Sequence, residues 1–306
     1  MSTERPPTLD PIAAARWSQS LPLQSPWLHE EVARRMEDRL QWMVQTPAQW
    51  VHWQPARGGL QAHGLLTKRY PKSECFVLEA PVQPAQAAHK LIATQWWNPA
   101  RWTGPKVTMG PPPAPVAMLW ANMALHMAAD PQALIQRWNQ LIATDGFLMF
   151  SCLGPDTLRE LRQVYASQGW GAPSHEFTDM HDWGDMLVRA GFAEPVMDME
   201  RITLSYSSPQ SLLNELRTLG RNLHVARDKG LKGRAWLKAL HATIAEQLQP
   251  QGRVNGEAGR LTMTFEIIYG HAFKPKPRHT VLPETTVSLD EMRSSLRKVK
   301  KNPEDF

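Results

Sequence analysis

Four places in the chain carry residue types that could do chemistry. The apolar run Cys75-Phe76-Val77-Leu78 ends in Glu79. A carboxylate at the carboxyl end of a strand can accept from both hydroxyls of a ribose, so Glu79 is a candidate nucleoside ligand. An ordinary exposed strand-end acid would look the same. Gly58-Gly59 follows a candidate strand at Trp50–Trp53 and precedes a helical stretch that runs to Arg69. Such a pair serves either as a plain turn or as a place where backbone approaches a ligand closely. Asn122 lies just past the run Val116–Trp120, with His126 following it. Both belong near the carboxyl edge where open α/β sheets bind ligands, His126 as a general base or as a hydrogen-bonded structural residue. Arg217, Arg221, Arg227, Lys229, Lys232, Arg234 and Lys238 are opposed only by Asp228. That stretch suits an acidic partner or simple solvation. His181 stands among Asp179, Asp182 and Asp185. No second His or Cys lies at ligand spacing, so no metal site is expected.

The elements that must position these residues centre on Val116 to Leu153. Val116–Trp120 and Phe147–Leu153 are apolar without alternation, the pattern of parallel strands covered on both faces. Leu134, Ile135, Trp138, Leu141 and Ile142 recur at helical spacing between them, which predicts a helix with one buried stripe. Asp130 can cap it, Pro131 suits its first turn, and Asp145-Gly146 supplies a turn into the second strand. The unit is a strand, helix, strand crossover. Upstream, Leu28, Val32, Met36, Leu40 and Met43 mark an amphipathic lead-in helix, a candidate part of a lid, while Pro22 and Pro26 exclude a long helix before Trp27. Lys106–Met109 is the best candidate for a third strand. Gly154-Pro155-Asp156 should open a helix, and Met180, Trp183, Met186, Leu187 and Ala190 form the stripe of another, capped by Asp179 and ended by Gly191. A strand at Met197–Tyr206 is followed by two helices carrying the basic series. Leu261 to Tyr269 alternates as an antiparallel strand with one better-buried face should. Trp96-Trp97-Asn98-Pro99-Ala100-Arg101-Trp102 reads as a loop, and Leu289–Lys301 as a short basic helix or tail.

The fold class is therefore α/β: a doubly wound, mainly parallel sheet with an antiparallel last strand and a helical lid insertion. The divisions are an N-terminal segment at 1–48, a core at 49–206, a lid at 207–257, the final strand at 258–274 and a basic tail at 275–306. With 306 residues the chain can bury a full core. Its two cysteines, Cys75 and Cys152, fall in apolar strands, so a disulfide framework is not expected and a reducing cytoplasm fits. No apolar run reaches the length of a signal or membrane-spanning segment. A net charge of +5 permits an acidic partner. Aromatic residues are too sparsely interleaved with the basic ones for a nucleic-acid surface.

The segments LWANMALHM, DGFLMFSCLGPDTLREL and FTDMHDWGDMLVRAGFAEPVMDMERITLSY, and the later LTMTFEIIYGHAF, resemble the S-adenosylmethionine-dependent methyltransferases. The likeness is greatest to the biotin-pathway malonyl-carrier-protein O-methyltransferases, with the mitochondrial complex I assembly-factor methyltransferase-like proteins further off. The resemblance implies a seven-stranded sheet, S-adenosylmethionine as cofactor, a carrier-bound malonyl carboxylate as acceptor and an acidic acyl carrier protein as partner. On that basis Gly58, Gly59 and Glu79 would hold the cofactor, Asn122 and His126 would border the reaction centre, and Arg217 and Arg221 would meet the acyl chain or its carrier. The chain departs from the family pattern at the first strand. Trp53 stands about where an acid is expected and Pro55 about where the first of three spaced glycines is expected; Ala117 replaces an aspartate, and SQSLPLQSPW lacks the family's tyrosine. These departures also suit a second function, a methyltransferase fold that has lost its cofactor and serves as an assembly or docking protein. The two readings part on one observation: a ring of Trp53 or Pro55 filling the cofactor's place would exclude the enzyme.

Overall fold

The computed structural model describes residues 9–20, 24–79, 106–228, 230–248, 253–254, 257–276 and 290. The tryptophan-rich stretch at 96–102, Lys229 and most of the 289–301 segment lie outside the described residues. The strands are β1 (Gln49–Trp53), β2 (Glu74–Leu78), β3 (Val107–Met109), β4 (Val116–Ala121), β5 (Ile142–Leu153), β6 (Ala193–Tyr206), a small hairpin of β7 (Arg253–Val254) and β8 (Glu257–Ala258), and β9 (Leu261–Phe273). The main sheet has the order β3-β2-β1-β4-β5-β9-β6. β9 runs antiparallel to both of its neighbours, and the other pairings are parallel. The order turns back between β1 and β4. Strands diverge there into helices on opposite faces, which leaves a crevice at the carboxyl edge.

Helices cover both faces. On one lie α2 (Trp27–Arg39) and α4 (Leu60–Arg69), whose Leu28, Val32, Met36 and Leu66 pack with Trp50 and Met118. On the other lie α5 (Pro131–Leu141) and α7 (Met180–Arg189), whose Ile135, Trp138, Trp183 and Leu187 pack with Val51, Leu119 and Phe150. Alternation along β1 sends Trp50 to the first face and Val51 and Trp53 to the second. Local chemistry sets the helix ends. Asp130 accepts from the Ala133 N–H at 2.9 Å with Pro131 in the first turn of α5, and Asp179 accepts from the His181 N–H at 2.8 Å at the start of α7. Gly191 takes φ +92° beyond α7. Further helices among the described residues are α6 (Arg159–Ser167), α8 (Pro209–Leu219) and α9 (Arg234–Leu248). Ahead of them all, α1 (Pro11–Gln19) is a short helix capped by Asp10. The chain divides after Pro275 into two units, and the sheet belongs to the first.

Three expectations change. Ile142 belongs to β5, not to the preceding helix: it pairs with Val116, so Asp145-Gly146 is an irregularity inside a long strand. Helix α6 starts at Arg159, after Gly154-Pro155-Asp156, because the Gly154 and Asp156 N–H groups are taken by Glu266 on β9 and Leu158 adopts φ 61°. β9 is buried on both faces, Thr264, Glu266 and Ile268 included, because both sides of the sheet are covered there: Met263, Phe265 and Ile267 pack in one core layer and Ile268 and Ala272 in the other. Both cysteines are buried and unpaired. Among the described residues no helix is long and apolar enough to cross a membrane.

Candidate active site

At the crevice, β1 ends in a residue held in the left-handed region, Gln54 (φ 49°, ψ 54°), and passes into one helical turn, α3 (Pro55–Gly58). The Gln54 N–H donates to the Leu78 carbonyl at 2.8 Å, which carries the β1–β2 pairing one residue further. Trp53 does not enter the crevice as a plug. It is 5% exposed and packs edge-on to Trp138 at 5.9 Å, with the Arg137 guanidinium 4.9 Å from its ring centre. Pro55 is buried in the first turn of α3.

The two glycines meet protein. A Cβ on Gly58 would come within 2.8 Å of the Asn122 carbonyl, and the Gly58 carbonyl accepts from Asn122 Nδ2. Gly59 has φ +128°, and a Cβ there would meet Glu30 Oε2 at 3.0 Å. Glu30 reaches across from α2 to the start of α4. Its Oε1 accepts from the Leu60 N–H at 2.9 Å and its Oε2 from the Gln61 N–H at 3.1 Å. Ser25 Oγ also accepts from the Leu60 N–H, at 3.1 Å. The start of α4, with N–H groups that could bind an anion, thus meets a carboxylate of the chain itself.

Glu79 stands at the carboxyl end of β2 as expected. Its Oε1 accepts from the Ala56 N–H at 2.7 Å, and burial above all pushes its carboxyl up to about 7, against the pull of that hydrogen bond and of Arg57. Arg57 leaves α3 toward α1. Its Nη2 donates to the carbonyls of Trp17 at 2.9 Å and Ser20 at 2.5 Å, and its guanidinium carbon lies 4.4 Å from the Trp17 ring centre. Its Nε is buried without a hydrogen-bond partner among the described residues. Arg57 lines a cavity of about 300 Å³ with Ala14 and Trp17 of α1, Trp53, Gln54, Met123, Met127 and Asp130; Glu79 stands behind the turn and does not line it.

Asn122 was expected beside the reaction centre; it is 1% exposed and serves as a clamp. Nδ2 donates to the His29 carbonyl at 2.8 Å as well as to Gly58, and Oδ1 accepts from Ser151 Oγ at 2.5 Å, so it ties α2 and α3 to the ends of β4 and β5. His126 is also buried, yet it borders open space. Its Nδ1 accepts from the Leu153 N–H at 3.3 Å, which leaves the proton on Nε2, and burial holds it well below the ordinary histidine range. His175 donates from Nε2 to the His126 carbonyl at 3.1 Å, and its buried Nδ1 has no partner. Both histidines line a second cavity of about 230 Å³ with Leu153, Leu161, Phe177, Leu213, Leu216 and Phe265. Arg217 and Arg221, from α8 and just beyond it, border this cavity and also an outer groove of about 940 Å³. Among the described residues neither forms an ion pair, whereas Arg227 pairs with Asp10 at 2.5 Å and Asp228 with Lys232. Met127 borders both inner cavities, and Trp17 borders the first cavity and the groove.

The structure therefore brings His126, Arg217 and Arg221 together, keeps Glu79 at the crevice, and uses Asn122, Gly58 and Gly59 for internal contacts. Trp17, Glu30, Arg57 and His175 were missed. Arg57, the charged residue inside a loop otherwise made of Gln, Pro, Ala and Gly, carried a readable signal. The others depend on contacts between distant segments.

The fold recurs in known structures. The chain superposes on the YcgJ protein of Bacillus subtilis with a TM-score of 0.50 at 11% identity, covering 81% of this chain and 99% of that one. It superposes on a candidate methyltransferase of Bacillus halodurans with a TM-score of 0.52 at 12% identity, covering 80% and 100%. This is the doubly wound fold of the methyltransferases. No family model matches the sequence. Full-length relatives do: the malonyl-[acyl-carrier protein] O-methyltransferase of Gallionella capsiferriformans is 36% identical over 82% of this chain and 85% of its own length, and that of Laribacter hongkongensis is 34% identical over 87% of each. The chain belongs to the malonyl-[acyl-carrier protein] O-methyltransferase family.

Proposed function

We propose that the protein transfers a methyl group from S-adenosylmethionine to the free carboxylate of a malonyl group on an acyl carrier protein, within biotin synthesis in the cytoplasm. The observation that carries this reading is the adjacency of two inner cavities that share Met127, one at the sheet crevice and one under α8 with Arg217 and Arg221, which form no ion pair among the described residues, on its rim. The crevice fits the cofactor in three respects. It has a cavity of about 300 Å³ at the turning point of the strand order. Glu79, at the end of β2 and bound to the Ala56 N–H, offers a carboxyl group to ribose hydroxyls beside the turn that carries Gln54 and Arg57. Arg57 offers a buried donor without a partner. Gly58 and Gly59 support the site indirectly, by letting α3 seat on β4 and α2.

The cofactor, when bound, supplies an electrophilic methyl group. The chain's part is to bind, orient and exclude water. The acceptor carboxylate is already anionic near neutral pH, so no general base is required. Arg217 and Arg221 attract the acceptor and its acidic carrier, while neutral His126 offers a hydrogen-bond donor beside the inner cavity. Leu213, Leu216 and Phe265 wall that cavity with apolar surface, and α1 covers the crevice.

The test is methylation of a malonyl-loaded carrier protein by the purified chain with labelled S-adenosylmethionine. Label should appear on the carrier. Replacing Arg217 and Arg221 together by Ala should raise the KM for the carrier by roughly tenfold or more, about 1.4 kcal/mol, without changing cofactor affinity. Label on small free acids but never on the carrier removes this assignment.

A further inference from the structure

We propose that Arg57 holds the carboxylate at the amino-acid end of the cofactor, a task that the start of α4 cannot perform in this chain. The proposal rests on the cofactor reading above. Helix starts bind anions through free N–H groups and the positive end of the helix dipole. At α4 the Leu60 and Gln61 N–H groups are engaged by Glu30, with Ser25 as a further partner of Leu60. A second carboxylate placed there would lose its donors and meet a like charge.

Arg57 presents the opposite situation. It lines the crevice cavity in the turn after β1, a few residues before the capped helix start. Its Nη2 is held by the Trp17 and Ser20 carbonyls and its plane lies over Trp17, so the side chain is fixed in direction. Neutral carbonyls orient a guanidinium without neutralising it, and among the described residues Arg57 forms no ion pair. Its Nε–H is buried and unpartnered. Burial pulls the guanidinium below its ordinary range, with Glu79 the only opposing influence among the described residues. Glu79 is a weak counter-ion, because it is bound to Ala56 and is itself pushed up to about 7. A partly desolvated cation that lines a cavity and carries an N–H with no partner among the described residues is matched by an anion with an acceptor oxygen. A carboxylate on the amino-acid end of a nucleoside thioether supplies one at the edge of β1.

Calorimetric titration of the full chain tests this with two probes, S-adenosylhomocysteine and S-adenosyl-3-thiopropylamine, which lacks only the carboxylate. Wild type should bind the first at least tenfold more tightly than the second. Arg57→Met should bring the first down to the level of the second and leave the second unchanged, which also reports an intact fold. Arg57→Lys should fall between, keeping the charge but losing the planar fork. Equal affinity of wild type for both probes overturns the proposal, as does a substitution that weakens both by the same factor. If Arg57→Met binds neither probe, Arg57→Lys decides: selective weakening of the carboxylate probe supports the proposal, and parallel weakening overturns it. Wild type binding neither probe removes the cofactor reading itself, and the proposal with it.

Discussion

Glu79 illustrates how one side chain can link binding to pH. Burial pushes its carboxyl up to about 7 from an ordinary 4.5, so between those values the folded chain holds a proton that the unfolded chain has released. Stability from this group is present below 4.5 and is lost as pH rises through 7. A ribose donating to the ionised carboxylate reverses the preference, so binding should release a proton. Affinity for S-adenosylhomocysteine should therefore rise with pH by up to roughly tenfold per unit below 7 and level off above it. Calorimetry at pH 6, 7 and 8 checks this, with Glu79→Gln as the flat control. A wild-type affinity that does not move with pH would separate Glu79 from the ribose. Glu79's position could be read from the apolar run before it. That its Oε1 turns onto Ala56 could not, because that contact joins the ends of two strands.

At the scale of elements, α1 and the lid behave as one piece. Leu9 bridges to His224, the Asp10 N–H donates to the Leu223 carbonyl at 2.8 Å, and Asp10 both caps α1 and pairs with Arg227. Trp17 then lies between two guanidinium groups, Arg57 at 4.4 Å and Arg221 at 5.4 Å from its ring centre. One indole thus joins the cofactor crevice to the acceptor rim. Asp10→Ala removes the cap and the ion pair together. It should speed proteolytic cleavage within residues 11–19 by roughly fivefold or more while the sheet keeps its protection, and it should weaken S-adenosylhomocysteine. Limited proteolysis followed by mass spectrometry reads this directly. Unchanged cleavage would show that α1 is held by the apolar contacts of Ala14 and Trp17 alone.

For the whole molecule, acid should be the weak direction. His29, His63 and His175 are buried, and burial lowers each from an ordinary 6.5 to about 4. In that window the unfolded chain binds more protons, so stability present above 6.5 is lost as pH falls toward 4. Each proton contributes a slope of about 1.4 kcal/mol per pH unit. Glu79 and Glu215, both raised by burial, oppose this over part of the range, but His52, His126 and His271 are lowered by burial as well, so six histidines act against two carboxyls. Urea unfolding at pH 7.5, 6 and 5 should show a falling midpoint. Replacing His63 by Asn or Gln should flatten the slope by about one proton, and a midpoint constant from 7.5 to 5 would contradict the assignment of these histidines as buried and neutral.

The sequence by itself determined the features that arise within a few residues of each other. These include the buried stripe and the Asp130 cap of α5, the Asp179 cap and Gly191 end of α7, and the parallel strands on either side of the crossover. The later family likeness rests on the same region. Tertiary structure alone decided that Gln54 takes the left-handed position, that Glu30 fills the start of α4, that Asn122 joins four segments and that β9 lies inside the sheet. The reason is physical: periodicity and capping act between neighbours along the chain, whereas these arrangements depend on which distant surfaces meet, and local residue preferences carry no record of that.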